Sequence, residues 1–288
     1  MSALCRALTA DDEAAMVEFL NQFPTSEYRP WEVLFRHGWN ALDNVVGFGL
    51  FEGTRPVGYL GTIQKQRTIN GATFRLVNLS TWFVLKDYRS QSLDPQRMVL
   101  EYSNCVSAGH TIIPQVVKRY ESIGYRGYDY RIHLCFRTPF ARTSIPDVEV
   151  HVGDETIERI THDQRELVED HRSYSVVPFL FTSSTGDRCL VMCQRVIRRY
   201  KGRMIATTHC LHISNKSFYL EIERRIRDVI TSHMKTWILA VDDRMVNRQK
   251  LSRSLMIPMI TPRMSRNNID FDPELLDNLY TELVLFKY

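Results

Sequence analysis

The chain has 288 residues, 44% hydrophobic and 24% charged, which excludes a disordered or fibrous protein and fits one large domain or two of ordinary size. Its formal net charge of +4 and pI near 8.7 suit an anionic cofactor or substrate but fall short of a dedicated nucleic-acid binder, so nucleic acid is not an expected partner. The opening MSALCRALTADDEAAM has no basic segment followed by a long apolar run, and nothing approaches the roughly 18 apolar residues that cross a bilayer. The expectation is a cytoplasmic protein with no membrane partner, and its six cysteines, which lack C-x-x-C spacing, read as buried thiols.

Thr9 with Asp12 three residues on forms a near capping box, which opens a helix to about Phe19. A looser stretch with Pro24, Pro30, Trp31 and Trp39 follows. Val45 to Phe51 and Val57 to Gln66 read as strands, and Asn70-Gly71 is a two-residue hairpin turn, since a type I′ turn needs positive φ at both positions. If so, Ile63 pairs with Asn78 and Gly61 lies opposite Ser80, and both polar residues either line a cleft or bond within the sheet. A long strand from Thr73 to Leu85 leads through a polar loop into a helix over Leu93 to Val106. Thr111 to Ile113 is a short strand, Gln115 to Ile123 a helix capped by Gly124, and Tyr128 to Arg137 a strand.

Pro139 to Gly153 reads as a connection, after which the order starts again, with domains expected over 1–140 and 141–288. Thr161 and Gln164 echo the first capping box, and Arg188 to Arg199 with Arg203 to Ile213 form a second hairpin around Lys201-Gly202. A helix from Phe218 to His233, a strand Trp237 to Val241, a helix near Val246 to Leu255 and a strand Thr281 to Phe286 complete the second pass.

The organising stretch is Asn78 to Cys105, where a strand, a hydroxyl-rich loop and a helix start offer backbone N–H groups and a positive dipole end to an anion such as phosphate. The plainer reading is that Ser92 or Asp94 caps the helix, with Pro95 in its first turn. Cys189, Cys193, Cys210 and His212 are a ligand set that zinc accepts, with Cys193 facing Cys210 and His212 facing Val191. Four residues of strand put Cys189 roughly 13 Å from Cys193, too far for one tetrahedral site, so no metal is expected. The arginines Arg195, Arg198, Arg199, Arg203, Arg224, Arg225 and Arg227 read as phosphate binders or, with Glu221 and Glu223 spaced i,i+4 on the helix, as a solvated face.

The order helix, long hairpin, strand–loop–helix, strand, helix, strand over residues 4 to 137 resembles the GNAT superfamily of acyl-CoA acyltransferases. Val84-Leu85-Lys86-Asp87-Tyr88-Arg89 looks like the family's strand end, and Tyr120-Glu121-Ser122-Ile123-Gly124-Tyr125 like its aromatic–E-x-x-G–aromatic segment. Arg89-Ser90-Gln91-Ser92-Leu93-Asp94 stands where the family has R/Q-x-x-G-x-G/A, with Ser92 and Asp94 in place of both glycines. The resemblance implies an α/β (α+β) fold, a mixed, mostly antiparallel sheet flanked by helices, here duplicated with a degenerate second half. It implies acetyl-CoA or another acyl-CoA as cosubstrate, held by Arg89, Ser90, Gln91, Ser92 and Leu93. Main-chain N–H groups near Val84 would polarise the thioester carbonyl, and Tyr120 would protonate the leaving thiolate. The implied activity is N-acetylation of a primary amine, in a small molecule or a peptide, by direct attack. The alternative is a non-catalytic module of the same fold that has lost coenzyme binding, and a third reading is an anionic-polymer binder using the arginines of the second half.

Overall fold

The structure, a computed structural model, describes residues 3–23, 29–39, 42–128, 131–137, 148–200, 202–259 and 261–287. Its first elements are β1 (Leu4–Leu8), a 3-10 turn at Ala10–Asp12 and α1 (Glu13–Leu20), with Thr9 N–H donating to Asp12 at 3.0 Å as the capping box requires. Next come α2 (Val33–Arg36), β2 (Gly47–Glu52), β3 (Arg55–Ile69) and β4 (Ala72–Val84). Asn70 and Gly71 take φ of 50° and 81°, the mirror-image turn that matches strand twist. A 3-10 helix over Lys86–Gln91 precedes α3 (Asp94–Leu100), β5 (Cys105–Gly109), α4 (Val117–Ser122) and β6 (Arg126–Tyr128).

The later elements are β7 (Arg131–Phe136), β8 (Val148–Val152), α5 (His162–His171), β9 (Val176–Ser183), β10 (Arg188–Tyr200) and β11 (Arg203–Ile213). They continue through α6 (Lys216–Glu221), α7 (Glu223–His233), β12 (Ile238–Asp242), β13 (Ser254–Pro258), β14 (Arg263–Asn267) and α8 (Glu282–Phe286).

Two seven-stranded sheets result, ordered β1-β2-β3-β4-β5-β14-β6 and β8-β9-β10-β11-β12-β7-β13. Each is antiparallel except at one place, β4 with β5 in the first and β11 with β12 in the second. The plan is therefore the same twice, which is the expected mixed, mostly antiparallel and duplicated α/β architecture. In each sheet the sixth strand comes from the other half of the chain: β14 from the C-terminal stretch, β7 from the N-terminal one. One compact unit is thus Met1–Asp129 with Ile260–Leu276 and Tyr280–Phe286, and the other is Tyr130–Met259 with Asp277–Leu279 and Lys287–Tyr288. A single cut after residue 140 does not reproduce this division, because β7 and β14 each cross it.

Several elements differ from expectation for local reasons. The strand expected over Tyr128 to Arg137 is two strands, β6 and β7, in different sheets, and residues 129 and 130 lie outside the described ones. The helix expected to reach Val106 ends at Leu100, because Asn104 turns left-handed (φ 48°) and its amide donates to the Thr73 carbonyl at 2.9 Å. The fifth strand is then Cys105–Gly109, all buried, rather than Thr111 to Ile113; its small residues carry little strand signal. The helix expected near Val246 to Leu255 is stopped by left-handed Asn247 and Arg248, and β13 follows. Thr281 to Phe286 forms α8, not a strand, since a short apolar run does not reveal its own period. Pro24, Lys201 and most of the Pro139–Gly153 connection lie outside the described residues.

The first unit packs α3 and α4 on one sheet face over Phe48, Leu60, Val77, Leu79, Val99, Tyr120, Tyr125 and Met264. Met264 reaches that core from β14, far along the chain, and is wholly buried. Met264→Ala is expected to cost about 2–5 kcal/mol. Urea unfolding followed by tryptophan fluorescence measures it, and an unchanged midpoint would mean that β14 is not part of this core.

Candidate active site

β4 and β5 run in register only from Arg75↔Cys105 to Leu79↔Gly109, and β5 ends there. Ser80–Val84 of β4 continue with no described strand on that side, so the backbone N–H and C=O groups of that edge have no ladder partner among the described residues. On its other side β4 pairs with β3, but the ladder slips between Leu60↔Trp82 and Thr62↔Leu79. Ser80 and Thr81 therefore oppose the single Gly61, a β-bulge that re-aims the strand just where β5 leaves it. Gly61 is required there: a Cβ would run into Ser80 Oγ and come within 2.9 Å of the Tyr59 hydroxyl. Ser80 Oγ and the Tyr59 hydroxyl are buried, and neither has a hydrogen-bond partner among the described residues.

Beside the bulge lies a buried polar chain. Asn78, opposite Ile63 as the hairpin turn predicts, is wholly inaccessible. Its side chain does not bond within the sheet. Asn78 Nδ2 donates to Glu282 Oε2 at 2.5 Å, and Asn78 Oδ1 lies 2.7 Å from His110 Nδ1. Thr111 Oγ1 donates to the other Glu282 oxygen at 2.7 Å. Glu282 and His110 are each only 2% exposed. Burial raises the affinity of the Glu282 carboxylate for a proton above the ordinary carboxylate range, while the bonds from Thr111 and Asn78 and the Arg263 charge pull it back. A basic carboxylate and an imidazole joined through an amide, at the point where two strands part, can accept a proton from a bound reactant.

The resemblance-based residues lie around this point on other surfaces. Val84 is the last residue of β4, in register with Gly58; the interruption in the ladder falls earlier, at Ser80–Thr81. Arg89, Ser90 and Gln91 belong to the 3-10 helix after β4, and Ser92 and Leu93 link it to α3. Arg89 and Ser90 are exposed. Gln91 is tied to the residue before β1, giving and receiving 2.9 Å bonds with the Ala3 main chain. Ser92 Oγ accepts from the exposed Arg119 at 2.9 Å, and Asp94 pairs with Arg97 at 2.8 Å rather than capping the helix.

Tyr120 lies on the opposite sheet face from Asn78, in edge contact with Trp82 and Tyr125. Burial pushes its phenol well above the ordinary range, against a bond from Gln96 and with the Glu282 charge, so it stays a neutral donor. The structure brings Asn78, His110, Thr111 and Glu282 together and leaves Tyr120 with the loop residues on the α3–α4 side. His110 and Glu282 escape sequence reasoning; the available signal is a lone carboxylate set in the apolar Thr281 to Phe286 run.

The second unit repeats the parallel pairing of β11 and β12 at Thr208↔Leu239 and His209↔Ala240, but its edge past His209 is taken. Asn278 N–H donates to the Leu211 carbonyl at 2.9 Å, while its side chain bridges Arg244 (2.7 Å) and Asp242 (2.9 Å). In the β10–β11 hairpin Cys193 pairs with Cys210 as expected. A bulge between Met192 and Cys193 sets His212 opposite Met192 instead of Val191, and His212 Nδ1 bonds Asp277 at 3.0 Å.

No family model matches the sequence, and no curated protein does. Solved structures match it in fold. A conserved protein of unknown function from Enterococcus faecalis V583, described as a probable N-acyltransferase, aligns with TM-score 0.59 at 12% identity over 93% of this chain and 72% of its own. A GCN5-related N-acetyltransferase from Anabaena variabilis ATCC 29413 gives 0.59 at 9% identity, over 92% and 72%. Saccharomyces cerevisiae N-myristoyltransferase with bound myristoyl-CoA gives 0.50 at 9%, over 97% and 83%. The chain has the GNAT fold, in two lobes that fit its two sheets.

The buried carboxylate also makes a pH prediction. Because its folded pKa lies above the ordinary 4.5, the folded protein keeps a proton that the unfolded chain has released. Its contribution to stability therefore falls as pH rises from about 4.5 until the folded value is passed. Glu282→Gln is expected to remove that fall, so the urea midpoint of the variant should gain on wild type as pH rises from about 4.5 towards neutral. A difference that stays flat over that range would contradict the burial argument.

Proposed function

We propose that the protein is an acyl-CoA-dependent N-acyltransferase of the cytoplasm, using acetyl-CoA and a primary amine of a small molecule or peptide. The observation that carries this reading is the parting of β4 from β5 past Leu79, with a bulge at Ser80–Thr81 and a buried proton acceptor alongside. An extended pantetheine arm needs such an unpaired edge for its amides, and a thioester carbonyl needs converging donors. The edge N–H groups from Ser80 to Val84, with the Ser80 and Tyr59 hydroxyls, supply them. When bound, acetyl-CoA supplies the activated acyl carbon. The likeness to a yeast enzyme solved with myristoyl-CoA supports an acyl-CoA donor without choosing the chain length.

The loop after β4 fits a pyrophosphate in an altered way. Ser92 and Asp94 stand where bare glycine amides would approach the ligand, yet Ser92 holds the exposed Arg119 guanidinium at the loop. Arg89, Ser90, Gln91, Ser92 and Leu93 then frame the anion and Arg119 supplies its counter-charge. Tyr120, kept neutral by burial, is the proton donor to the leaving thiolate. The second unit takes no coenzyme in this reading, since Asn278 occupies the corresponding edge.

One observation favours a second reading, a binding module without coenzyme: Gln91 is committed to the Ala3 main chain, and the Asp94 carboxylate sits at the helix start. Thermal shift separates the two. Acetyl-CoA at about 100 times its Kd is expected to add about 2.7 kcal/mol of stability. Asp94→Gly should tighten binding and Arg119→Ala should weaken it about tenfold, the order of one charge-assisted hydrogen bond. No shift with acetyl-CoA or with longer acyl-CoAs would favour the module.

A further inference from the structure

We propose that His110 accepts the proton of the attacking amine at Nε2, and that Asn78, held by Glu282 and Thr111, is the positioning residue that fixes the imidazole tautomer this needs. The proton transfer rests on the acyltransferase reading; the tautomer does not.

Hydrogen-bond roles decide the tautomer. Both Glu282 oxygens accept, Oε1 from Thr111 Oγ1 at 2.7 Å and Oε2 from Asn78 at 2.5 Å. The Asn78 atom facing Glu282 must then be its NH2, since an amide oxygen against a carboxylate oxygen at that distance would repel. With the amide so oriented, its oxygen faces His110 Nδ1 at 2.7 Å. An amide oxygen only accepts, so Nδ1 carries the hydrogen, and the neutral ring has its lone pair on Nε2. All three residues are at least 98% buried, where a mismatched polar pair is costly enough to hold one tautomer in large excess.

The place of the ring suits the chemistry. His110 directly follows Gly109, the last residue of β5, where that strand leaves β4. Among the described residues, the titratable and charged groups coupled to the chain of bonds include Glu282 on α8, Arg263 on β14 and Tyr120 on α4. In the reaction the amine lone pair forms the C–N bond to the thioester carbon, and the carbonyl π pair moves to oxygen. The N–H proton passes to His110 Nε2, the oxyanion re-forms C=O, and the C–S pair leaves with the thiolate, which takes a proton from Tyr120. The imidazolium formed keeps its Nδ1–H on Asn78, and the Glu282 charge, relayed through the amide, favours it.

Side-chain 1H–15N spectra of the full chain without ligand, at neutral pH, test the tautomer. The expected result is His110 as Nδ1–H in wild type and in Glu282→Gln, whose amide oxygen still accepts from Asn78, and mixed tautomers in Asn78→Leu. An Nε2–H ring in wild type would overturn the proposal, because Asn78 would then be turned round and Glu282 protonated; this readout stands even where Asn78→Leu fails to fold. With acetyl-CoA and a polyamine, an amino sugar and a lysine peptide as probes, His110→Gln should lose about 10²–10⁴ in kcat/KM while the acetyl-CoA thermal shift persists. Full rate in that variant would overturn the role of Nε2. If acetyl-CoA neither shifts the melting curve nor is consumed while wild type shows Nδ1–H, the acyltransferase reading falls, and the proton transfer with it, leaving the tautomer lock.

Discussion

A carboxylate almost wholly removed from water governs the arrangement of the first unit. Glu282 accepts from two side chains, Asn78 within β4 and Thr111 in the turn after β5. A buried carboxylate without such partners is strongly unfavourable, so α8, β4 and the turn after β5 have to meet in one geometry. That geometry also orients Asn78 and, through it, His110. The same three bonds thus fix both the meeting of these elements and the orientation of the imidazole.

The sheet makes this meeting possible by stopping early. β5 pairs with β4 for Arg75–Leu79 only, and the bulge at Ser80–Thr81 turns the rest of β4 aside. Leu79 and Trp82 consequently face the same core although three positions apart, and Ser80 is left on the Asn78 side with Tyr59. The second sheet repeats the plan but closes its own edge with Asn278, whose side chain is fixed by Arg244 and Asp242. Duplication has kept the architecture twice and the open edge once.

The loop after β4 illustrates how a fold keeps its shape while its side chains change. A serine stands in this loop where the family pattern has glycine, and it holds the Arg119 guanidinium. Gln91 ties the same loop to the Ala3 main chain through two hydrogen bonds.

The sequence by itself determined the elements that depend on near neighbours. The Asn70-Gly71 turn, the capping boxes at Thr9 and Thr161, the long hairpins and the duplicated order were legible because φ preferences, caps and alternation act within a few residues. Only the tertiary structure decided which strand joins which sheet: β7 and β14 carry no local mark of their exchange, since pairing is fixed by burial against distant partners. It also decided that Glu282, more than 200 residues after Asn78 in the chain, would share its hydrogen bond. A lone acid in an apolar run has no period or spacing to announce a partner; its role exists only once the surrounding donors have been folded around it.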